Sequence, residues 1–477
     1  MPGTTLPASG TAVAATAARP RPGVVLATLL TCQLMIVLDI TVMNVALPRI
    51  QADLGFTAAS LSWVMSSYTL VFGGLLLLGG RAGDLFGRKR MFVGGVLLFT
   101  VASLAGGLAG SAAWLIVARI AQGLGAAAAG PSTLALLTTT ITEPRARLRA
   151  LALFSGMSSA GFAVGLILGG LLTEWLSWRA VLFINAPFGL VVAALASRYV
   201  VEPSRQRARL DLPGAVTGTV GVAALVYGFI RAADPGWTDP LTVTSLIAGA
   251  VLIGVFLVVE TRTAQPLLPL RLFTDRNRAA AYANFFLGPM AGMSMFFFLT
   301  QYLQDVRGMN ALGTGFAFLP MALLVFVLSR FIPRLLPRFG PKPVALAGTL
   351  SMTAGVAWLT QLEVGSGYLT SLLGPMVLTG LGMGLAFSPL NVIIMSSVPA
   401  SDAGAAGGVL QTMQQTGATL GLAILVTIFG TVTRTATGSP HEVMVTGMTS
   451  AFTASVIIAA LTFVVALTFR REGERAA

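Results

Sequence analysis

Fourteen long apolar runs decide what this chain can become. Bounded by charges or turn residues, they lie at about 24–47, 61–80, 91–110, 112–140, 149–174, 180–200, 211–231, 241–259, 278–303, 312–331, 343–362, 368–397, 407–430 and 446–470. At ~1.5 Å per residue, about twenty helical residues cross the hydrocarbon core of a bilayer. No water reaches that core to bond the backbone, so such runs become helices, whose hydrogen bonds are internal. The expected fold is an all-α integral membrane protein with fourteen transmembrane helices. No connection is long enough to hold a soluble domain. Composition agrees, with 10% charged residues where soluble domains carry about 25%.

The net charge of +13 would suit a nucleic-acid partner if the basic residues formed one patch. They do not. With the N-terminus placed in the cytoplasm, 24 of the 30 Lys and Arg residues fall in inner segments. The outer loops hold five, Arg49, Arg179, Arg231, Arg307 and Arg434, and Arg119 lies inside the fourth run. Basic residues stay on the cytoplasmic side of a membrane, so both termini are expected there. The excess anchors loops at an anionic leaflet, and no nucleic-acid partner is expected. The single cysteine, Cys32, allows no intrachain disulfide, and the single histidine, His441, lies in a loop, against a histidine-based metal or triad site. Neither Lys89 nor Lys342 belongs to a phosphate-binding Gly-Lys-Ser/Thr loop. An enzyme is therefore not expected, nor a cofactor.

Inner connections at 198–214 and 260–278 divide the runs into six, two and six. The expected organisation is a disordered cytoplasmic tail (1–23), a six-helix bundle (24–200), a linker with two accessory spans (201–260), a second six-helix bundle (261–470) and a cytoplasmic tail (471–477). Glycine-bearing basic loops recur at equivalent places in the two bundles, 79–90 and 329–343, as in transporters built from repeats.

Two charges stand alone inside apolar runs. Asp39 is the only charge between Val24 and Leu47, and Arg119 is the only one in the fourth run. A charge at the bilayer centre costs at least ~2.5–3.5 kcal/mol and by default marks function. Counted from their helix ends, the two lie ~12 and ~10 Å from the outer surface, depths at which they can meet. Such a pair acts as a proton carrier or as a static lock on the fold.

In sequence order, the motifs resemble the major facilitator superfamily, in its fourteen-span drug:proton antiporter branch. "LDITVMNVALP" (38–48) looks like that branch's first-span motif. "GGRAGDLFGRKR" (79–90) is similar to the superfamily signature, with Gly80, Asp84, Gly87, Arg88, Lys89 and Arg90 matching, while Ala82 and Leu85 depart from it. "ARIAQGLGAAAAGP" (118–131) matches the span-4 motif through Arg119, Gln122 and Gly123. "GFAVGLILGG" (161–170) resembles the span-5 antiporter motif through Gly161, Gly165, Gly169 and Gly170, with Leu166 where a proline is usual. "GGVLQTMQQTGATLG" (407–421) is also typical.

The resemblance implies two six-helix bundles plus two inserted spans, working by alternating access as an exporter of small amphipathic organic compounds, a drug or antibiotic efflux protein of the cell membrane. A facilitator or importer on the same fold is the alternative. No cofactor beyond the proton gradient is implied, and the expected partners are the organic substrate, protons and the lipid bilayer, with the protein a monomer. Asp39 and Arg119 would couple protons. Asp84, Gly87, Arg88, Lys89 and Arg90 would gate, and Gly161, Gly165, Gly169 and Gly170 would pack helices closely. Met43, Gln122, Asn284, Met293, Phe297, Gln301, Asn391, Gln411 and Gln415 would line the substrate cavity, Met and Phe adapting to varied apolar ligands.

Overall fold

The computed structural model describes residues 22–203, 210–399 and 402–469. The tail expected at 1–23, save its last two residues, the tail at 471–477 and the centre of the 198–214 connection lie outside these. Among the described residues there are fifteen α-helices and no strand. The first bundle comprises α1 (Pro22–Leu54), α2 (Trp63–Phe86), α3 (Arg88–Gly107), α4 (Ala112–Thr140), α5 (Pro144–Trp175), α6 (Trp178–Phe183) and α7 (Asn185–Tyr199). A hairpin follows, α8 (Leu212–Ala232) and α9 (Pro240–Arg262). The second bundle comprises α10 (Arg276–Gln301), α11 (Ala311–Phe339), α12 (Pro341–Leu359), α13 (Leu373–Ser396), α14 (Ala403–Thr433) and α15 (Pro440–Leu467).

Thirteen spans are long and apolar enough to cross a membrane, with α6 and α7 counted as one. Pro187 explains that split. It has no N–H to offer the carbonyl of Phe183, so the helix bends where α6 meets α7. The fourteenth expected span is α12, whose 19 residues begin Pro-Lys-Pro and are less apolar for it. It packs against α13 and α15 as a full member of its bundle. The two-bundle architecture with a two-span insert is thus present.

Helix ends follow from their capping residues. Ser111 accepts from the Trp114 N–H at 3.3 Å to start α4, and Ser439 with Glu442 forms a capping box at α15. Between α2 and α3, Gly87 has φ +111°, and a side chain there would strike the Glu202 carboxylate at 2.8 Å. Only glycine suits this turn.

The bundles meet along α5–α11, α2–α14 and, less extensively, α1–α10. The loop 79–90 and the Arg-rich α5 start mark one end of the molecule, here the basic face. Toward the opposite face the two bundles share one apolar core, joining Val42, Met43 and Leu166 to Phe297, Phe318 and Phe429. Polar contacts tie that end too. Thr300 donates to Asn44 at 2.6 Å, Gln304 donates to the Val45 carbonyl at 2.8 Å, and the Ala311 N–H donates to Glu174 at 3.3 Å. Toward the basic face the bundles have separate buried cores, with Leu77 of α2 packed against that of the second. The bundles share a core at one end, and toward the other they stay in touch along α2–α14, where Thr412 donates to the Gly73 carbonyl at 3.2 Å.

The hairpin lies outside both bundles. α8 seals the α2–α14 seam, with Val226 and Ile230 against Leu70 and Ala423, while α9 presents most of its surface outward.

Candidate functional site

The apolar runs that make α1 and α4 cross inside the first bundle and bring Asp39 and Arg119 into contact. An Nη1 of Arg119 lies 2.5 Å from Oδ2 of Asp39, and both side chains are fully buried. Arg119 also donates through Nε to the Val64 carbonyl at 2.9 Å and through Nη1 to Gln122 at 3.0 Å. Its guanidinium stacks 4.4 Å above the Tyr68 ring. The other carboxylate oxygen, Oδ1, accepts from Gln122 and from Asn185, each at 3.0 Å. Ser103 accepts from the same two amides, at 2.6 and 3.4 Å. Arg119 and Gln122 of α4 and Asn185 of α7 thus hold the α1 carboxylate, with Ser103 of α3 behind the two amides. Every donor that reaches the carboxylate, the Arg119 cation among them, comes from within the first bundle.

The pair sits within the first bundle, among α1, α3, α4 and α7, and not on the surface between the bundles. Gln122, expected in the substrate cavity, is fully buried and bonded to Asp39. Asn185 and Ser103 carried no signal in the sequence, being neutral polar residues in apolar runs.

The other expected site residues divide by exposure. Asn391 and Gln411 are exposed, and Met293 and Gln415 are half-buried. Gln415 meets α2 closely, since a Cβ on Gly73 would lie 2.5 Å from its own. Met43, Phe297 and Gln301 are buried toward the closed end, with Met43 and Phe297 in the shared core. Asn284 is also buried and donates to the Ala280 carbonyl at 3.0 Å.

In the 79–90 turn, Asp84 pairs with Arg88 at 2.5 Å within its own bundle. Glu202 accepts from the Lys89 N–H at 3.1 Å, and the Lys89 ammonium donates to the Ser197 carbonyl at 2.8 Å. Arg90 is exposed. The glycines of α5 serve two interfaces. Gly161, Gly165 and Gly169 face α1, while Gly170 faces the start of α11 at Ala311 and Leu312. α5 runs unbroken through Leu166. Among the described residues no group of three or more His, Cys, Asp or Glu is placed to hold a metal.

The sequence model described as Major Facilitator Superfamily matches residues 29–422. The chain is 44% identical over 408 residues to the puromycin resistance protein of Streptomyces alboniger, covering 84% of this chain and 81% of that one. It is 42% identical over 417 residues to the cephamycin export protein of Amycolatopsis lactamdurans, covering 86% and 85%. It is 35% identical over 410 residues to the tetracenomycin C resistance and export protein of Streptomyces glaucescens, covering 85% and 76%. Among solved structures, a bacterial homologue of the human lysosomal transporter Spinster superposes with TM-score 0.66 at 17% identity, covering 95% of this chain and 98% of that one. The Escherichia coli xylose transporter XylE gives 0.63 at 12%, with the same coverage. The chain belongs to the major facilitator superfamily, a family of multi-pass membrane transporters and not of enzymes.

Proposed function

We propose that the protein exports small amphipathic organic compounds, antibiotics among them, from the cytoplasm in exchange for protons, by alternating access. The observation that carries the coupling is the Asp39 carboxylate, fully buried and bonded to Arg119, Gln122 and Asn185. Removing one partner of a buried pair costs about 3–5 kcal/mol, so protonating Asp39 is a large enough event to bias two conformations. The export reading draws on relatives named for puromycin resistance, cephamycin export and tetracenomycin C export.

In this reading the basic face is cytoplasmic, both termini lie there, and the closed core faces outward. The molecule is then inward-facing, a state in which an exporter takes up drug and has released its proton. Asn391, Gln411, Gln415 and Met293 contact the drug first. Met43, Phe297 and Gln301 become accessible when the outer core opens, and Asn284, nearer the basic face, lines the inner half of the drug path. The turn with Asp84, Gly87, Arg88, Lys89 and Arg90 gates the cytoplasmic side, its charges exchanging the Asp84–Arg88 contact within the first bundle for contacts to the second in the outward-facing state. The protein works as a monomer in the cell membrane, with α8 and α9 as accessory spans.

Inverted vesicles with an imposed pH gradient test this against puromycin, tetracenomycin C and a panel of planar dyes. Wild-type protein is expected to concentrate drug and to move protons when drug is added. Asp39→Asn is expected to abolish both while inserting normally. Uphill drug accumulation by the Asn variant with normal proton movement would refute the coupling.

A further inference from the structure

At the foot of the hairpin two acids face one point. Asp211 caps α8, its Oδ1 accepting from the Gly214 N–H at 2.9 Å. Glu260, near the end of α9, accepts through Oε2 from the Leu268 N–H at 2.9 Å. Each carboxylate has one oxygen left over. Asp211 Oδ2 and Glu260 Oε1 are both buried without a hydrogen-bond partner, and the two residues are only 4% and 3% exposed. A Cβ on Gly214 would lie 2.6 Å from the first oxygen and 2.8 Å from the second, so both crowd a spot that glycine leaves open. Among the described residues, Asp211 and Arg81 are the charged groups that act on Glu260. Arg81 of α2 donates to the Pro266 carbonyl at 3.4 Å, and Leu268 is buried in the core of the second bundle. First bundle, hairpin and second bundle are therefore tied together at this place.

We propose that Asp211 and Glu260 form a proton-binding site apart from Asp39, in which one proton held between Oδ2 and Oε1 fastens the hairpin foot to the connection entering the second bundle. Two buried carboxylates that face one point do not both stay charged, because each disfavours the other's anion. One proton removes the repulsion and supplies the missing donor. The O–H formed on one carboxyl donates to the carboxylate of the other, and both leftover oxygens are satisfied. Release breaks that O–H bond and passes the proton to water at the basic face. Two anions are left facing each other, which pushes Glu260 away and loosens its hold on Leu268. A metal ion fits the place less well, since hard cations take six or more oxygen ligands and the second oxygen of each acid already accepts from an N–H. The folded state binds this proton and the unfolded chain does not, so the fastening is present at low pH and lost as pH rises. Only the side of the membrane whose pH is felt rests on the orientation proposed above.

The test uses the full-length protein in detergent with no drug added. Infrared difference spectra between about pH 6 and pH 9 read the C=O stretch of a protonated carboxyl, a range well above ordinary carboxyl titration. Hydrogen exchange followed by mass spectrometry reads the amides of Leu267 and Leu268. In wild-type protein a carboxyl band is expected to vanish as pH rises. Exchange at the two leucines, corrected for its own pH dependence, is expected to quicken at least about tenfold, equal to ~1.4 kcal/mol. Glu260→Gln and Asp211→Asn keep the acceptors for Leu268 and Gly214, and the new amide donates to the remaining carboxylate with no proton to lose. Each is expected to lack that band and to exchange equally at both pH values, while any band from Asp39 is common to all three proteins and cancels. Wild-type exchange that does not change with pH overturns the site without recourse to a variant. Identical spectra of wild type and both variants, folded by size-exclusion elution, overturn it too. Slow exchange restored at the higher pH by calcium would put a metal cation in the proton's place and overturn it as well. Drug transport enters none of these readings, so failure of the export reading leaves them standing.

Discussion

Arg119 makes four contacts of different kinds, and no other side chain can repeat them. Its planar fork reaches Asp39, Gln122 and the Val64 carbonyl while its face covers Tyr68. A lysine carries the charge as a single point and has no planar face. Arg119→Lys is therefore expected to lose most transport, and Arg119→Ala to destabilise the fold by about 3–5 kcal/mol, because a buried carboxylate is left unanswered. Adding Asp39→Asn to Arg119→Ala should recover much of that stability while transport stays absent. Thermal unfolding in detergent with a vesicle transport assay checks both. A double variant no more stable than Arg119→Ala would mean that the pair is not coupled. The sequence exposed this pair because a charge inside an apolar run is rare enough to be seen. It did not expose Asn185 or Ser103, since neutral polar residues recur throughout the spans, many satisfied by the carbonyl one turn back, as Thr100 and Ser294 are. Gln122 was visible as a motif residue, but which neighbour it bonds depends on how α4 is rotated against α1 and α3, and no spacing rule gives that.

The α1–α5 interface shows how much a helix face can settle. Glycines four apart lie on one side of a helix and allow close approach, so the sequence gives the face but not its partner. The structure supplies α1, and it separates the positions by what a Cβ would meet. At Gly165 the obstacle is the Thr41 hydroxyl at 1.9 Å, whereas at Gly169 it is the Val42 backbone, with Cα at 2.9 Å. Both Gly165→Ala and Gly169→Ala are expected to destabilise by about 1–3 kcal/mol through overpacking. Thr41→Ala should restore much of the Gly165→Ala loss and none of the Gly169→Ala loss, as thermal unfolding of the four variants will show. Equal rescue of both would mean that the obstacle is not local. The hairpin carries a pH test of its own. Asp239 accepts from Arg231 at 2.7 Å and from the Thr242 N–H at 2.9 Å, and these bonds, the Arg231 one foremost, pull its carboxyl from 3.8 down to about 2. A depressed carboxyl adds stability above its unfolded value and loses it as pH falls through the folded one. Asp239→Asn should accordingly unfold at lower temperature than wild type above pH 4, with the gap narrowing toward pH 2. A gap independent of pH would assign the effect to the lost cap geometry alone. Element boundaries were less legible than element faces. The single span read at 180–200 is one span in the structure, its hydrogen bonding interrupted at Ile184 between α6 and α7, and α12 keeps its place through packing despite a less apolar start.

At the scale of the whole molecule, the sixfold, twofold and sixfold grouping was readable because inner connections are long and basic, whereas the position of the hairpin on the α2–α14 seam was not, since an all-apolar span carries no mark of what it touches. The proposed export reading carries an expectation about substrate charge at this scale. Asp39 is occupied by three donors inside the first bundle. Glu174 lies at the closed face, 3.8 Å from Arg49 and bonded to the Ala311 N–H. Glu260 is buried at the basic end of α9, where it accepts from the Leu268 N–H, outside both bundles. Glu363 lies in the connection after α12 on the closed face, where its carbonyl accepts from Tyr302. None of these four acids is therefore free to answer a charge beside Asn391, Gln411, Gln415 and Met293, the residues proposed to meet the drug first. A dication bound there would keep one positive charge uncompensated in a medium of low dielectric, at a cost of several kcal/mol. A planar monocation or neutral polycycle avoids most of that cost. Expression in an efflux-deficient host is therefore expected to protect against planar monocations and neutral polycyclic antibiotics, and to leave susceptibility to bivalent cations such as bis-biguanides within twofold of the control, the resolution of a dilution series. Stronger protection against dications than against monocations would require a carboxylate in the cleft. Glu174→Gln and Glu363→Gln would then identify it, because only the variant that loses dication protection while keeping monocation export has removed the compensating charge.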